Sequence, residues 1–149
     1  MDSIKFNHAT PIQLRFNDFD ALGHVDNSVY FSFYDLGKTS YFNEVLPDVG
    51  FSKEVGVVIA NIQISFLLPV YPGENVSVET AVVEIGNKSF KLLQRLIDID
   101  TTEVKCICHT IMVCYDAKTK TTRPISDEWR KAIANFEGNA ELCKVNCTH

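Results

Sequence analysis

The amino-acid sequence predicts an α+β fold in which a curved antiparallel β-sheet wraps around one long central helix. Apolar residues recur at three- and four-residue steps over about 27–45, which is the period of a helix. Four later segments alternate apolar and polar residues or run apolar, and turn residues rather than helices separate them. Strands that follow one another without a crossover helix are expected to pair as antiparallel neighbours.

The chain is expected to enter this fold through a strand, a turn-rich stretch and then the long helix. Residues 12–16 alternate apolar and polar side chains, the pattern of a half-buried strand, and residues 17–23 are rich in turn formers. Asp26 or Asn27 can cap the helix that follows. Pro47 comes just after its last apolar position, so we expect the helix to end near residue 45.

The side chains of the predicted helix indicate that it is enclosed. Its apolar positions include Leu36 and are widened by Phe31 and Phe42, whereas Lys38 falls among the polar positions. We therefore expect contacts on several sides of the helix. Gly37, in the middle, costs about 1 kcal/mol of helix stability relative to alanine. This cost predicts that a strand or a ligand approaches the helix closely there.

The rest of the chain completes one domain, which we place at residues 1–137. The predicted strands cover 57–68, 76–82, 90–99 and 104–115. Ser126 then caps a short helix with Trp129, Ile133 and Phe136 on one face. The polar tail at 138–149 is expected to fray.

Composition and charge exclude several classes of function. Of the 149 residues, 46% are hydrophobic, which is enough for a sizeable core and argues against intrinsic disorder. The 14 basic and 19 acidic residues give a net charge of −5 and form no basic run. Nucleic acids and anionic membranes are therefore poor partners. The first eight residues contain no apolar segment of the kind that signal peptides have.

The cysteines predict a reducing, cytoplasmic environment and no metal site. Their number is odd, and three of the five fall in one predicted strand, which argues against a disulfide framework. The residues that could be imagined as metal ligands are Cys106, Cys108, His109, Cys143, Cys147 and His149. Their spacing fits no zinc-binding pattern.

Polar residues are concentrated in one place, between Arg15 and Asn27, directly before the long helix. They can be simple caps and turn formers. They can also carry chemistry, because the first amides of a buried helix are unpaired and carry partial positive charge. A carbonyl oxygen placed there is polarised, and a carboxylate a few residues upstream can attack the carbonyl or activate a water. This combination suits the hydrolysis of an acyl compound.

The same stretch resembles a known family. Residues 18–30, Asp-x-Asp-x-x-Gly-His-Val-Asp-Asn-x-x-Tyr, are similar to the D-x-D-x-x-G-H-V-N-N-x-x-Y signature of the hydroxybenzoyl-CoA thioesterase-like branch of hotdog-fold acyl-CoA thioesterases. Arg15 and residues 35–38 extend the match, and a looser one covers 58–116. The sequence departs from the family pattern at Asp26, where Asn is usual, and at Gly37, where bulkier residues are common.

The resemblance implies a role for individual residues. Asp20, the second acid of the signature, would be the catalytic nucleophile or general base, and the backbone amide of Asn27 would polarise the thioester carbonyl. Gly23 would let the turn approach the acyl group. The remaining implied substrate-binding residues are His24 and Tyr30, which would line the site, and Lys88 and Ser89, which would lie near the bound CoA. No cofactor is implied, because CoA enters as part of the substrate.

Two other functions and an oligomer remain as expectations. The chain could bind acyl groups without hydrolysing them, or it could act on acyl-carrier-protein thioesters instead of CoA thioesters. Asp20 discriminates against the first alternative, because a pure binder has no need of it. A single sheet around one helix leaves its edge strands open. Closing these edges against a second copy is the usual remedy. The resemblance implies the same, at least a homodimer and often a dimer of dimers, with the active site at the dimer interface.

Overall fold

A computed structural model describes residues 4–46 and 55–143. Within these ranges a sheet of six antiparallel strands packs against one long helix. The elements are β1 (His8–Ile12), α1 (Tyr30–Val45), β2 (Val55–Phe66), β3 (Val76–Ile85), β4 (Ser89–Asp98), β5 (Val104–Asp116), β6 (Thr121–Thr122) and α2 (Asp127–Glu137). Short 3₁₀ turns cover Phe16–Asp18, Asn27–Val29 and Ala140–Cys143.

The predicted long helix is confirmed, including its cap. The 3₁₀ turn at Asn27–Val29 leads directly into α1, and the Asp26 carboxylate accepts a hydrogen bond from the backbone amide of Ser28 at 3.1 Å. The proline that was expected to end the helix lies outside the described residues.

The buried face of α1 differs from the predicted one at two positions. Lys38 was expected among the polar positions, but it is 4% exposed, whereas Leu36 is 56% exposed. The residues that face the sheet are Tyr30, Phe33, Tyr34, Gly37, Lys38, Tyr41, Phe42 and Val45. Their spacing is a regular three-four repeat that takes in Lys38 and leaves out Leu36. The opposite face, with Phe31, is open in the single chain, so the expected enclosure is incomplete.

The sheet confirms the predicted α+β hotdog fold, in which antiparallel strands curl around α1. The strand order is β1-β3-β4-β5-β2, and β6 adds to β5. The expectation that all four successive strands pair as neighbours is wrong for β2, which pairs with β5 and not with β3. Residues 67–75, which connect β2 to β3, are too many for a tight hairpin, so the two strands need not be neighbours. This connection passes the beginning of α1, and its Val70 is fully buried.

The first strand lies earlier in the chain than predicted. The expected strand at 12–16 is wrong, because β1 covers His8–Ile12 and pairs with β3 from Thr80 to Val76. Alternation continues in the sequence to Phe16, but that side chain is 93% exposed. Pairing ends at Ile12 because the next segment turns away to form the 3₁₀ turn before Phe19.

Close approach of a strand to Gly37 is confirmed. A Cβ atom placed on this glycine would lie 2.6 Å from Cγ1 of Val78 on β3 and 2.8 Å from Nε2 of Gln94 on β4. The missing side chain therefore lets the helix backbone rest directly on the sheet.

The second helix and the segment after it close one end of the core. The hydroxyl of Tyr41 donates to Oε2 of Glu137 at 2.5 Å, and the amide of Val82 donates to the same oxygen at 3.0 Å. Burial raises the pKa of Glu137. Leu142, in the 3₁₀ turn after α2, is also buried. The first part of the tail therefore contacts the core through Leu142, whereas residues 144–149 lie outside the described part, and the expected fraying stays a prediction.

The cysteines that the structure describes are free thiols. Cys106, Cys108 and Cys114 are buried on β5, and burial raises the pKa of each thiol, whereas Cys143 is exposed. Among residues 4–46 and 55–143, no three His, Cys, Asp or Glu side chains come together as metal ligands would. Cys147 and His149 lie outside these ranges. Neither helix of the described chain has the length and apolarity needed to cross a membrane.

Candidate active site

The two acids of the Asp-x-Asp motif have different surroundings. Asp18 is buried, and its carboxylate accepts hydrogen bonds from the backbone amide of Arg15 at 2.8 Å and from the guanidinium of the same residue at 3.2 Å. Its carbonyl accepts from the amide of Asp26 at 2.9 Å. Asp18 therefore holds the turn before the helix in shape.

Asp20 is accessible and lies beside His24. Its side chain is 29% exposed and that of His24 31%, and 3.8 Å separates Oδ2 of Asp20 from Nδ1 of the imidazole. The other carboxylate oxygen accepts from the amide of Leu22 at 2.9 Å. The amide of Asp20 also donates to the carbonyl of His24 at 3.0 Å. The loop therefore fixes the carboxylate and the imidazole next to each other.

Gly23 makes the turn between these two residues possible. Its φ is +86°, a backbone conformation that residues other than glycine rarely adopt. Its amide donates to the carbonyl of Asp20 at 3.1 Å. A Cβ at this position would meet nothing within 4 Å, so the requirement for glycine here is conformational and not steric.

The beginning of the long helix offers one free amide. Asp26 accepts from the amide of Ser28 through its side chain and from the amide of Val29 through its carbonyl. No described residue accepts from the amide of Asn27. This amide carries the partial positive charge of the helix end.

An apolar cavity of about 280 Å³ opens beside Asn27. It is lined by His24, Val25, Asn27, Tyr30, Phe66, Leu67, Leu68 and Pro69. Tyr30 is 2% exposed, burial raises the pKa of its hydroxyl to about 12, and its ring centroid lies 5.1 Å from that of Phe66. The structure thus brings His24, Asn27 and Tyr30 to one cavity. Asp20 does not line this cavity but lies beside His24, which does.

Residues that the sequence reasoning did not single out hold the wall of this cavity. The amide of Val25 donates to the carbonyl of Val70 at 2.9 Å and ties the motif to the β2–β3 connection. Glu74 accepts from the amide of Tyr71 at 2.6 Å and from Nζ of the buried Lys105 at 3.0 Å. The looser family resemblance over 58–116 includes this segment and is the sequence signal that points to it.

Lys88 and Ser89 lie far from the cavity within one chain. Ser89, at the start of β4, is level with Val113 of β5 and with Val58 of β2. Phe66, which lines the cavity, is eight residues further along β2, a distance of about 26 Å. Lys88 is exposed on the hairpin before Ser89. A single chain therefore does not bring these two residues to Asp20.

Comparison with known proteins places the chain in a family. A model of the thioesterase-like superfamily matches residues 14–133. The uncharacterized protein YsmA of Bacillus subtilis is 26% identical over 87 residues, and the chain spans 58% of the length of this curated relative. The family match covers most of the chain, and it agrees with the hotdog fold and with the motif before α1. The chain therefore belongs to the thioesterase-like superfamily.

Solved structures share this fold over nearly their whole length. A thioesterase from Thermus thermophilus, complexed with coenzyme A and Zn, is 25% identical and has a TM-score of 0.80, with coverage of 90% of this chain and 96% of that one. A 1,4-dihydroxy-2-naphthoyl-CoA thioesterase from Synechocystis has a TM-score of 0.75 at 15% identity, with coverage of 86% and 96%. These neighbours agree with the family match in the fold of the chain.

Proposed function

We propose that the protein hydrolyses acyl-CoA thioesters to a free carboxylic acid and CoA. The observation that carries this proposal is the free amide of Asn27, a residue that lines an apolar cavity together with His24 of the Asp20–His24 pair. An acyl group fits an apolar cavity, and its thioester carbonyl needs a hydrogen-bond donor at the cavity's polar end. The helix end supplies that donor.

The amide of Asn27 would stabilise the negative charge that develops on the thioester oxygen. The Asp26 cap fixes the turn that contains this amide, and the dipole of α1 adds to the amide's own partial positive charge. Loss of one such donor typically lowers the rate about 10²–10³-fold. Among substitutions only proline removes a backbone N–H, so this contribution can be probed by Asn27→Pro, which falls at the first helical position where proline is tolerated.

Asp20 would act as nucleophile or as general base. As nucleophile, an oxygen of Asp20 adds to the thioester carbon, the CoA thiolate leaves, and water then hydrolyses the anhydride. As base, the carboxylate removes a proton from the water that adds to that carbon; the C–S bond then breaks, and the CoA thiolate leaves and takes up a proton. His24 lines the cavity, and its Nδ1 lies 3.8 Å from Oδ2 of Asp20. It would orient the carboxylate and the incoming water in either case.

CoA would be the leaving group and not a cofactor. The Thermus thermophilus relative is a complex with coenzyme A, which supports CoA as the ligand class. The proposed steps use only a side-chain carboxylate, a backbone amide and water.

A second copy of the chain would complete the site. β2 is the edge of the sheet, and its apolar residues Val58 and Ile59 are 44% exposed. Exposed apolar edges are normally covered. Antiparallel pairing of two β2 strands about a twofold axis would place the Val58 end of one strand near the Phe66 end of the other. The partner's Lys88 and Ser89 would then approach this cavity, where Lys88 could contact the CoA phosphates.

Chromatographic measurement of CoA release tests the proposal. The substrates are acyl-CoAs with short, medium, long and aromatic acyl groups, and the enzymes are the wild type and Asp20→Asn. We expect turnover of at least one substrate and a fall of about 10²–10⁴-fold in the variant. Binding without turnover would establish the acyl-binding alternative. Turnover of acyl-carrier-protein thioesters alone would establish the other alternative.

A further inference from the structure

Residues 67–75, the connection between β2 and β3, are anchored to β5 at both ends. The amides of Leu67 and Leu68 both donate to the carbonyl of Lys105 on β5, at 2.9 and 3.0 Å. Near the other end of the connection, Nζ of Lys105 donates to Oε2 of Glu74 at 3.0 Å. The backbone and the side chain of one buried residue therefore hold the two ends of this segment.

Lys105 is left out of the pairing between β4 and β5. Leu96 and Ile97 are consecutive on β4, but they pair with Cys106 and Val104, which are not consecutive on β5. Lys105 is therefore the extra residue of a β-bulge. A bulge redirects the side chain of the extra residue, and bulges are frequent next to active sites. This bulge directs a lysine to the segment that forms the wall of the cavity.

Glu74 extends this anchor to Tyr71, and Tyr71 extends it to His24. Oε1 of Glu74 accepts from the amide of Tyr71 at 2.6 Å, and the amide of Glu74 donates to the carbonyl of Tyr71 at 3.3 Å. The ring of Tyr71 stands at 86° to the imidazole of His24, with 6.3 Å between the ring centroids. This edge-to-face arrangement is one that aromatic rings prefer. Because the side chain of Tyr71 is half-exposed, the contact orders His24 and adds little to the core.

We propose that Glu74 and Tyr71 are positioning residues, which hold the imidazole of His24 beside the carboxylate of Asp20. This inference rests on the proposed hydrolysis, in which His24 orients the carboxylate and the incoming water. The distance of 3.8 Å between Nδ1 of His24 and Oδ2 of Asp20 is too long for a hydrogen bond. The loop places the two residues next to each other, and the orientation of the imidazole ring then depends on its contact with Tyr71.

The imidazole signals of His24 test this positioning without any substrate. They are recorded by nuclear magnetic resonance for the wild type, Tyr71→Leu, Tyr71→Phe and Glu74→Gln, and His24→Ala assigns them among the four histidines. Glu84→Gln is the matched control, because Oε2 of Glu84 also lies 3.0 Å from the Nζ of a lysine, Lys91. We expect Tyr71→Leu and Glu74→Gln to shift the His24 signals. Tyr71→Phe, which keeps the ring, and the control should leave them nearly in place.

Steady-state kinetics with the best acyl-CoA substrate tests the consequence for turnover. Misplacement of a group by about 1 Å can cost about 10²-fold in rate, so Tyr71→Leu should lower kcat about 10–100-fold with little change in KM. Tyr71→Phe should keep kcat. In the His24→Ala variant Tyr71→Leu should cause no further loss, because Tyr71 acts through His24. Glu74→Gln leaves the buried Lys105 without its carboxylate and should also lower Tm, so the half-exposed Tyr71 gives the decisive variants.

The outcomes separate the positioning from the hydrolysis. His24 signals that stay in place in Tyr71→Leu, with full turnover, would overturn the positioning and leave the proposed hydrolysis intact. An equal loss of kcat in Tyr71→Phe would also overturn it, because the hydroxyl and not the ring would then matter. So would a loss in Tyr71→Leu that persists undiminished in His24→Ala. Shifted His24 signals in a protein that hydrolyses no acyl-CoA would support the positioning and refute the hydrolysis. Unshifted signals without turnover would overturn both.

Discussion

Replacing Gly37 by alanine tests how α1 rests on the sheet. The new Cβ would lie 2.6 Å from Cγ1 of Val78 and 2.8 Å from Nε2 of Gln94, closer than real Cβ contacts. It would also lie 3.1 Å from Oγ1 of Thr80. Neither close neighbour can move freely. Val78 is fully buried, and the amide of Gln94 donates to the carbonyl of Tyr34 at 3.1 Å and to Thr80 at 3.0 Å.

The expected effect follows from three contributions. Alanine gains about 1 kcal/mol over glycine in a helix. Overpacking of a filled core costs about 1–3 kcal/mol. Displacing the Gln94 amide costs about 1 kcal/mol for each hydrogen bond that it loses. The two costs exceed the gain, so we expect Gly37→Ala to lower the free energy of unfolding by about 1–3 kcal/mol.

Urea and thermal denaturation followed by circular dichroism measure this effect. For a chain of this length, each kcal/mol lowers Tm by about 2–4 °C. Gly56→Ala is the matched control, because a Cβ at Gly56 would meet nothing within 4 Å in the described chain. We expect it to leave Tm nearly unchanged. A Gly37→Ala variant as stable as the wild type would refute the close contact between α1 and the sheet.

Three further predictions concern the loop, the hairpin and the second helix. Asp18→Asn should lower stability by about 1–3 kcal/mol and reduce kcat, because the turn that positions Asp20 loses a buried charged acceptor; denaturation and CoA-release assays check both effects. Lys88→Ala should raise KM for acyl-CoA at nearly constant kcat, and steady-state kinetics with an unchanged KM would contradict the proposed phosphate contact. Burial raises the pKa of Glu137, so the folded chain favours the protonated carboxyl. The stability that this group contributes is therefore present below the ordinary glutamate pKa and is lost as pH rises through the raised pKa of Glu137. Glu137→Gln should therefore gain stability relative to the wild type from acidic to neutral pH, as measured by Tm across that range.

Most helices and strands of the fold could be predicted from the local periodicity of the sequence. The three-four repeat before residue 46 predicts α1, and alternation predicts β3, β4 and β5 to within a few residues. The pairing of β2 with β5 could not be predicted from these patterns, because register and neighbour choice depend on contacts between distant segments. The position of β1 was missed for the same reason: alternation runs on past the point where pairing with β3 stops.

The candidate site was predictable in its location and less so in its parts. The polar stretch before the helix points to the correct end of α1, but its pattern does not distinguish the buried Asp18 from the accessible Asp20. The side chains that hold the cavity wall, Glu74 and Lys105, are distant in sequence and pair only in the folded chain. The periodicity places Lys38 among the polar positions of the helix, yet the folded chain buries it, which is rare for a lysine.

Asp20 is proposed as the catalytic carboxylate in the hydrolysis of an acyl-CoA. The most direct test of this role compares substitutions of two acids in the same loop. Asp26 lies six residues further on and caps the helix, a role that asparagine also fills well. The measurement is kcat/KM for the best acyl-CoA substrate with Asp20→Asn and Asp26→Asn, each checked for an unchanged Tm. We predict a loss of about 10²–10⁴-fold for Asp20→Asn and less than about 10-fold for Asp26→Asn. Equal activity of Asp20→Asn and the wild type would contradict the mechanism.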